Sequence, residues 1–138
     1  MDHEELHYIL EGSVNSTTQN RDVILDTVKK LLIDVAGWAA KNITFIDMEG
    51  YKGLATQVGR LCSEAPDGSE LTGSLLVILA FEESSMRPDR EFTIAHEIAH
   101  HFLGHGLSHS NEAYEANEKA ADELANAWGF TGNSVRVA

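Results

Sequence analysis

Two stretches near the start of the chain place apolar side chains at helical spacing. Residues 1–12 form a narrow apolar stripe, and Asp2 can cap the start of this short helix. Residues 22–41 keep the same period over a wide face, which predicts one long scaffold helix behind a sheet. The polar residues 14–20 between them are typical of a loop. The apolar positions are Leu6, Ile9 and Leu10 in the first helix, and Ile24, Val28, Leu31, Leu32, Val35, Trp38 and Ala39 in the second.

Three segments in the middle of the chain have the composition of β-strands. Residues 43–47 are β-branched and aromatic, and residues 75–81 are apolar throughout, as in a strand buried on both faces. Residues 54–62 alternate imperfectly between apolar and polar side chains. Residues 66–69 read Pro-Asp-Gly-Ser and predict a turn, because proline presets φ and glycine tolerates a positive φ. Residues 82–89 form the predicted loop before the next helix.

Helical spacing returns in the second half of the chain. Residues 90–104 predict an amphipathic helix that ends at Gly104, and a further helix runs from a cap at Ser110 or Asn111 to about Ala127. In the first of these helices the apolar positions are Phe92, Ile94 or Ala95, Ile98, Ala99, Phe102 and Leu103. In the second they are Ala113, Tyr114, Ala116 or Ala120, Ala121, Leu124, Ala125 and Trp128.

Length and composition indicate one globular domain of 138 residues, with 43% hydrophobic and 23% charged residues. No apolar run reaches transmembrane length, and the acidic first residues differ from the basic start of a signal peptide. A single cysteine, Cys62, excludes an internal disulfide and fits a reducing compartment, so we expect a cytoplasmic protein without membrane contact. The net charge of −12 disfavours direct nucleic-acid binding and favours a basic partner.

The motif His96-Glu97-x-x-His100 lies within the helix of residues 90–104. Residues four apart lie on one helix face, so the imidazoles of His96 and His100 stand close enough to share one metal ion. Two imidazoles leave zinc with positions for a third protein ligand and a water. Glu97 points about 100° away from His96 around the helix. From there its carboxylate reaches the attacking water without binding the metal, which is the place of a general base.

Several residues after His100 can supply the third ligand. The metzincin pattern needs a glycine and then a histidine at the positions of Leu103 and Gly106, so that pattern is absent. Glu118 and Asp122 are four apart on one helix face, where Glu118 can bind the metal and Asp122 can accept a hydrogen bond from a ligand histidine. The spacing leaves three other acidic side chains open as ligands. They are Glu112, Glu115 and Glu123.

The apolar strand, the HExxH helix and the later Glu118-x-x-Ala121-Asp122 pattern together resemble the ImmA/IrrE family of gluzincin-type metallopeptidase domains. The resemblance covers roughly residues 75–130, with residues 1–20 and 131–138 peripheral to a single domain of residues 1–138. It implies a compact zincin-like α+β fold, with helices packed on a small sheet of about three strands and HExxH on an internal helix. It also implies that one metal ion per chain is bound by His96, His100 and Glu118, that Glu97 is catalytic and that Asp122 supports a ligand.

Zinc-dependent hydrolysis of a peptide bond is therefore the expected activity. Well-known members of the family cleave DNA-binding repressors, so the resemblance implies a protein or peptide substrate, including a basic repressor. A ligand set of two histidines and one glutamate binds zinc or manganese. Tyr114, His105 and His109 are the candidates for stabilising the transition state, and the strand ending near residue 81 is expected to offer an edge to the substrate. The alternative is a non-catalytic, metal-stabilised regulatory binding module, which would have no need of Glu97.

Overall fold

The computed structural model describes residues 2–15, 20–47, 57–64, 70–79, 86–104 and 110–131. The predicted turn at residues 66–69, the end of the apolar strand at residues 80–81, and His105 and His109 lie outside these ranges. The described elements are, in chain order, α1 (His3–Ser13), β1 (Val14–Asn15), α2 (Asn20–Lys29), α3 (Ile33–Asn42), β2 (Ile43–Asp47), β3 (Gln57–Glu64), β4 (Glu70–Leu79), α4 (Arg87–Phe102) and α5 (Asn111–Ala127).

The described strands form one mixed sheet in the order β1-β2-β4-β3. Strand β2 pairs in parallel with β1 and β4, whereas β3 runs antiparallel to β4. Phe45 of β2 lies opposite Val77 of β4, and both side chains are fully buried. The resemblance predicted about three strands, and the fourth is the two-residue β1. Because β4 is paired on both sides, it is not the edge that was predicted to receive a substrate.

Within the segment of residues 1–20, which was expected to be peripheral, the described helix α1 contributes to the core. Asp2 caps α1 by accepting a hydrogen bond from the backbone N–H of Glu5 at 2.8 Å, as expected. Leu6 and Leu10 are fully buried in the central cluster of apolar side chains. The predicted loop of residues 14–20 instead begins with β1, because β2 supplies pairing partners that the local sequence does not reveal.

The prediction of one long helix over residues 22–41 is wrong, because the structure has two helices there, α2 and α3. The backbone N–H of Leu31 bonds to Val28 O, three residues back, and Leu32 is extended with φ −55° and ψ 142°. Leu31 is buried while Leu32 is 75% exposed, although both were expected on one apolar face. The break lets α2 pack on α4 while α3 packs on α1 and β2. No proline or glycine marks the break in the sequence.

The motif helix α4 begins at Arg87. It therefore includes the last three residues of the loop that was predicted for residues 82–89. Pro88 lies in the first turn, where its missing N–H costs no intrahelical hydrogen bond. Every residue from 91 to 101 is buried, so α4 is an internal helix that contacts α2, α5 and the sheet. Across the described ranges, each helix is too short or too polar to cross a lipid bilayer.

Helix α5 has the predicted limits, and both of its ends have a local explanation. The Ser110 hydroxyl accepts a hydrogen bond from Ala113 N at 3.1 Å at the start of the helix. At the end, Gly129 adopts φ +98°, and Phe130 N bonds back to Ala125 O at 3.1 Å. This is a Schellman-type ending, which favours glycine at the left-handed position. It turns Phe130 inward, where the side chain is 7% exposed.

Candidate metal centre

Helix α4 brings His96 and His100 together as their spacing predicted. His96 is fully buried and His100 is 8% exposed. Their Nε2 atoms lie 3.0 Å apart, and the rings meet nearly perpendicularly with centroids 4.5 Å apart. Phe92, one turn earlier, stacks on the His96 ring at a centroid distance of 6.3 Å and an angle of 30°. Phe92 was predicted only as a core residue, although its spacing of four residues from His96 already indicated this contact.

Glu97 lies beside the two histidines and is buried with them. Its side chain is 2% exposed, and Oε1 lies 3.9 Å from His96 Nε2. One ligand-type atom from each of His96, Glu97 and His100 falls within 4.8 Å of the other two. A buried carboxylate at this distance is held close to the histidine nitrogens without being in direct hydrogen-bond contact with His96 Nε2.

Helix α5 supplies the carboxylate that faces both imidazoles. Glu118 Oε1 lies 3.0 Å from His100 Nε2, and Glu118 Oε2 lies 3.1 Å from His96 Nε2. The two helices approach closely because Ala121 and Ala125 on the inner face of α5 are small and fully buried. The other acidic side chains considered as ligands, Glu112, Glu115 and Glu123, are exposed.

Asp122 lies on the far side of the His96 ring from Glu118. Its Oδ1 atom is 2.7 Å from His96 Nδ1, which is hydrogen-bond distance, although the N–H direction departs from the ideal line. A carboxylate at Nδ1 favours the tautomer that carries its proton there. The Nε2 lone pair of His96 then points toward Glu118 and His100.

These atoms suit a small divalent cation. Two imidazole nitrogens and one carboxylate form a common zinc ligand set. Ligands bound in a tetrahedron at about 2.0–2.2 Å lie about 3.4 Å from one another. The separations of 3.0–3.1 Å among His96, His100 and Glu118 are therefore within a few tenths of an ångström of those in a zinc site.

Of the three residues predicted to stabilise the transition state, the structure describes Tyr114. Tyr114 is 52% exposed and lies one turn before Glu118 on the same face of α5. His105 and His109 lie outside the described residues. His101 is buried, and its place one residue after His100 turns it about 100° around the helix from that ligand candidate.

Ion pairs link the first turns of α4 to α2, and these pairs were not predicted from the sequence. The Lys30 ammonium donates to both oxygens of Glu91 at 2.7 and 2.8 Å. Arg87 donates to Asp26 and, at 3.4 Å, to Glu91. The hydrogen bond to the Asp26 carboxylate raises the pKa of Arg87 above its ordinary value, so this guanidinium stays charged. The pairs Lys30–Glu91 and Asp26–Arg87 each join residues 61 positions apart, so local spacing gives no sign of them, whereas Arg87–Glu91 is an i,i+4 pair within α4.

The comparison with protein families concerns the part of the chain that contains His96, His100 and Glu118. Residues 66–128 match the peptidase M78 family model, which is described as the IrrE N-terminal-like domain. Over these residues the chain is similar to the IrrE N-terminal-like domain. The match covers β4, α4 and α5, and it confirms the resemblance to the ImmA/IrrE family. The IrrE N-terminal-like domain is of metallopeptidase type. No curated protein and no solved structure matched the chain significantly.

Proposed function

We propose that this protein is a zinc-dependent metallopeptidase that hydrolyses a peptide bond in a protein substrate. The observation that carries the proposal is the convergence of His96 Nε2, His100 Nε2 and the Glu118 carboxylate within 3.0–3.1 Å contacts. All three belong to the segment of the IrrE N-terminal-like match. In this proposal the three side chains bind one zinc ion per chain, and an ion bound there would supply a Lewis acid.

Glu97 has the position of a general base. Its carboxylate is buried 3.9 Å from His96 Nε2, close to the ligand atoms but not in contact with that nitrogen. It would take the proton of the attacking water and transfer it to the leaving amine. Asp122 holds the His96 ring through Nδ1 and keeps Nε2 available as a ligand.

An edge strand of the described sheet, β3, supports the proposal of an extended substrate. In the described sheet β3 pairs only with β4, so its other side is an edge, and β3 contacts the motif helix α4. A peptide that adds to this edge gains backbone hydrogen bonds beside the site. Tyr114, His105 and His109 are the candidates for stabilising the oxyanion. Of these, Tyr114 is the one that the structure describes, and it precedes Glu118 by one turn of α5.

A basic polypeptide is the substrate that the charge favours. The net charge of −12 attracts cationic partners and repels nucleic acid. Three exposed glutamates lie on the same helix as Glu118, at positions 112, 115 and 123. We therefore propose a protein substrate with a basic surface, such as a DNA-binding repressor.

A cleavage assay with matched peptide libraries tests this function. The zinc-loaded protein is incubated with lysine- and arginine-rich peptides and with acidic peptides of equal length, and new termini are identified by mass spectrometry. We expect cleavage of the basic library. Glu97→Gln should retain one zinc per chain and lose about 10²–10⁴-fold in rate, because the proton acceptor is removed. Glu4→Gln, which removes one exposed charge from α1, is the control and should cleave normally.

Two outcomes would contradict the proposal in different ways. Cleavage by Glu97→Gln at the wild-type rate would show that the general base is assigned wrongly. Stoichiometric zinc without cleavage of either library would support the non-catalytic regulatory module instead. Repeating the assay with manganese identifies the more active metal, since the ligand set accepts both.

A further inference from the structure

A second site lies at the opposite end of the α4–α5 pair from Glu118. A cavity of about 340 Å³ opens between the first turns of α4 and the end of α5. Its walls include Pro88 and Glu91 of α4, Lys30 after α2, and Trp128 and Phe130 after α5. Pockets that bind small molecules in proteins measure about 300–1,000 Å³ and combine apolar walls with a few polar groups. The cavity has this size, and its lining places three apolar rings beside the charged pair of Lys30 and Glu91.

The Lys30 ammonium is an accessible hydrogen-bond donor in the cavity. Both oxygens of Glu91 already accept from Lys30, and Oε1 also faces Arg87 at 3.4 Å. The side chain of Glu91 is only 11% exposed, whereas that of Lys30 is 55% exposed. An ammonium group has three N–H donors, and two of those of Lys30 go to Glu91. Among the described residues, no acceptor is recorded for the third.

The three rings in the lining of the cavity favour a flat ligand. Trp128 and Phe130 contribute aromatic side chains on either side of Gly129, and Pro88 contributes a rigid ring from α4. The Schellman-type ending of α5 holds Phe130 in place through its N–H bond to Ala125 O. The positive end of the α4 macrodipole also lies at this end of the helix and favours a negative group nearby.

We propose that this cavity is a binding site for a small aromatic carboxylate. The ring lies among Trp128, Phe130 and Pro88, and the carboxylate accepts the remaining N–H of Lys30. The site is separate from the metal centre, because its α4 residues precede His96 and it includes neither histidine nor Glu118. The inference does not depend on the proposed peptidase activity, and it applies equally to the metal-free protein.

Nuclear magnetic resonance titration of the whole chain tests this site directly. The chain has two tryptophans, Trp38 and Trp128, whose indole N–H signals are assigned by comparison with Trp38→Phe. Benzoate, benzyl alcohol and benzamidine carry one ring with an anionic, a neutral and a cationic group. We expect benzoate to shift the Trp128 signal saturably and more than the Trp38 signal, because Trp38 is linked to Trp128 only through the Phe102 ring on which both pack. Benzamidine should bind about tenfold or more weakly, because it cannot accept from Lys30.

Variants at the lysine separate a specific contact from general attraction. Lys30→Met should weaken benzoate binding about tenfold, whereas Lys30→Arg should retain it because a guanidinium also donates. Lys29→Met removes the neighbouring positive charge and should leave binding unchanged. Equal binding of benzoate and benzamidine to the wild-type chain would overturn the proposal, and that comparison needs no variant. Absence of any benzoate-induced shift, or unchanged benzoate binding by a folded Lys30→Met, would also overturn it.

Discussion

The contact between His96 and Asp122 makes the sharpest prediction about the metal centre. Asp122→Asn keeps the shape of the side chain but removes the carboxylate charge 2.7 Å from His96 Nδ1. An amide also allows its NH₂ group to face Nδ1, which would place the ring proton on Nε2 and block that atom as a ligand. Zinc affinity should therefore fall, while the packing of α5 against α4 stays unchanged.

The size of the effect follows from the exposure of the two partners. Removal of a carboxylate that supports a metal-bound histidine costs about 10–100-fold in affinity. His96 is fully buried, but the Asp122 side chain is 48% exposed, so water partly replaces the lost acceptor. We expect the lower end, about tenfold, which corresponds to about 1.4 kcal/mol. At saturating zinc the free energy of unfolding should fall by that amount, or about 3–5 °C in Tm for a chain of this length.

Competition with a chromogenic chelator measures the zinc Kd, and thermal unfolding with and without zinc measures the linked stability. Glu123→Gln is the matched control, because it removes a charge from the next residue, whose side chain is 68% exposed and 4.0 Å from Lys119. It should change neither quantity. If Asp122→Asn bound zinc with the wild-type Kd while Glu118→Gln did not, the supporting role of Asp122 would be refuted and the ligand set retained.

Three further changes test packing, the ion pairs of α4 and the end of α5 through the free energy of unfolding. Leu10→Ala should cost about 2–5 kcal/mol in urea unfolding, because Leu10 is fully buried; a cost below about 1 kcal/mol would contradict its place in the core. Glu91→Gln should cost about 1–3 kcal/mol, because it removes the charged acceptor of Lys30 from an 11% exposed position; a cost near that of an exposed pair would show that the contact adds little. Gly129→Ala should cost about 1–2 kcal/mol because of its φ of +98°, whereas Gly12→Ala within α1 should stabilise by about 0.5–1 kcal/mol. Neither added methyl group meets an atom within 4 Å, so equal effects of the two glycine changes would contradict the conformational argument.

Elements with signals inside their own sequence were predicted with nearly correct limits. Helix α1 has its cap at Asp2, and α5 has its cap at Ser110 and a glycine at its end. Strand β2 occupies the predicted residues 43–47. Each of these limits depends on contacts within a few residues or on a local apolar pattern, so the sequence contains the necessary information.

The errors arose where distant contacts decide the structure. The break between α2 and α3 occurs in a stretch with good helical periodicity, and it depends on α2 and α3 packing against different neighbours. Strand β1 exists because β2 pairs with it, and β4 extends back to Glu70 because β3 pairs along its length. The same pairing places β4 between two strands, so the edges of the described sheet are β1 and β3.

The sequence alone determined that His96 and His100 share one helix face, with Glu97 beside them, because four-residue spacing has the same geometry in any α-helix. It also placed Glu118 and Asp122 on one face of another helix, but it left four glutamates open as the third ligand. Only the tertiary structure brings that face against α4, through the close packing of Ala121 and Ala125. The Glu118 contacts of 3.0 and 3.1 Å with the two histidines result from that packing, since spacing within a helix says nothing about which helix it will face.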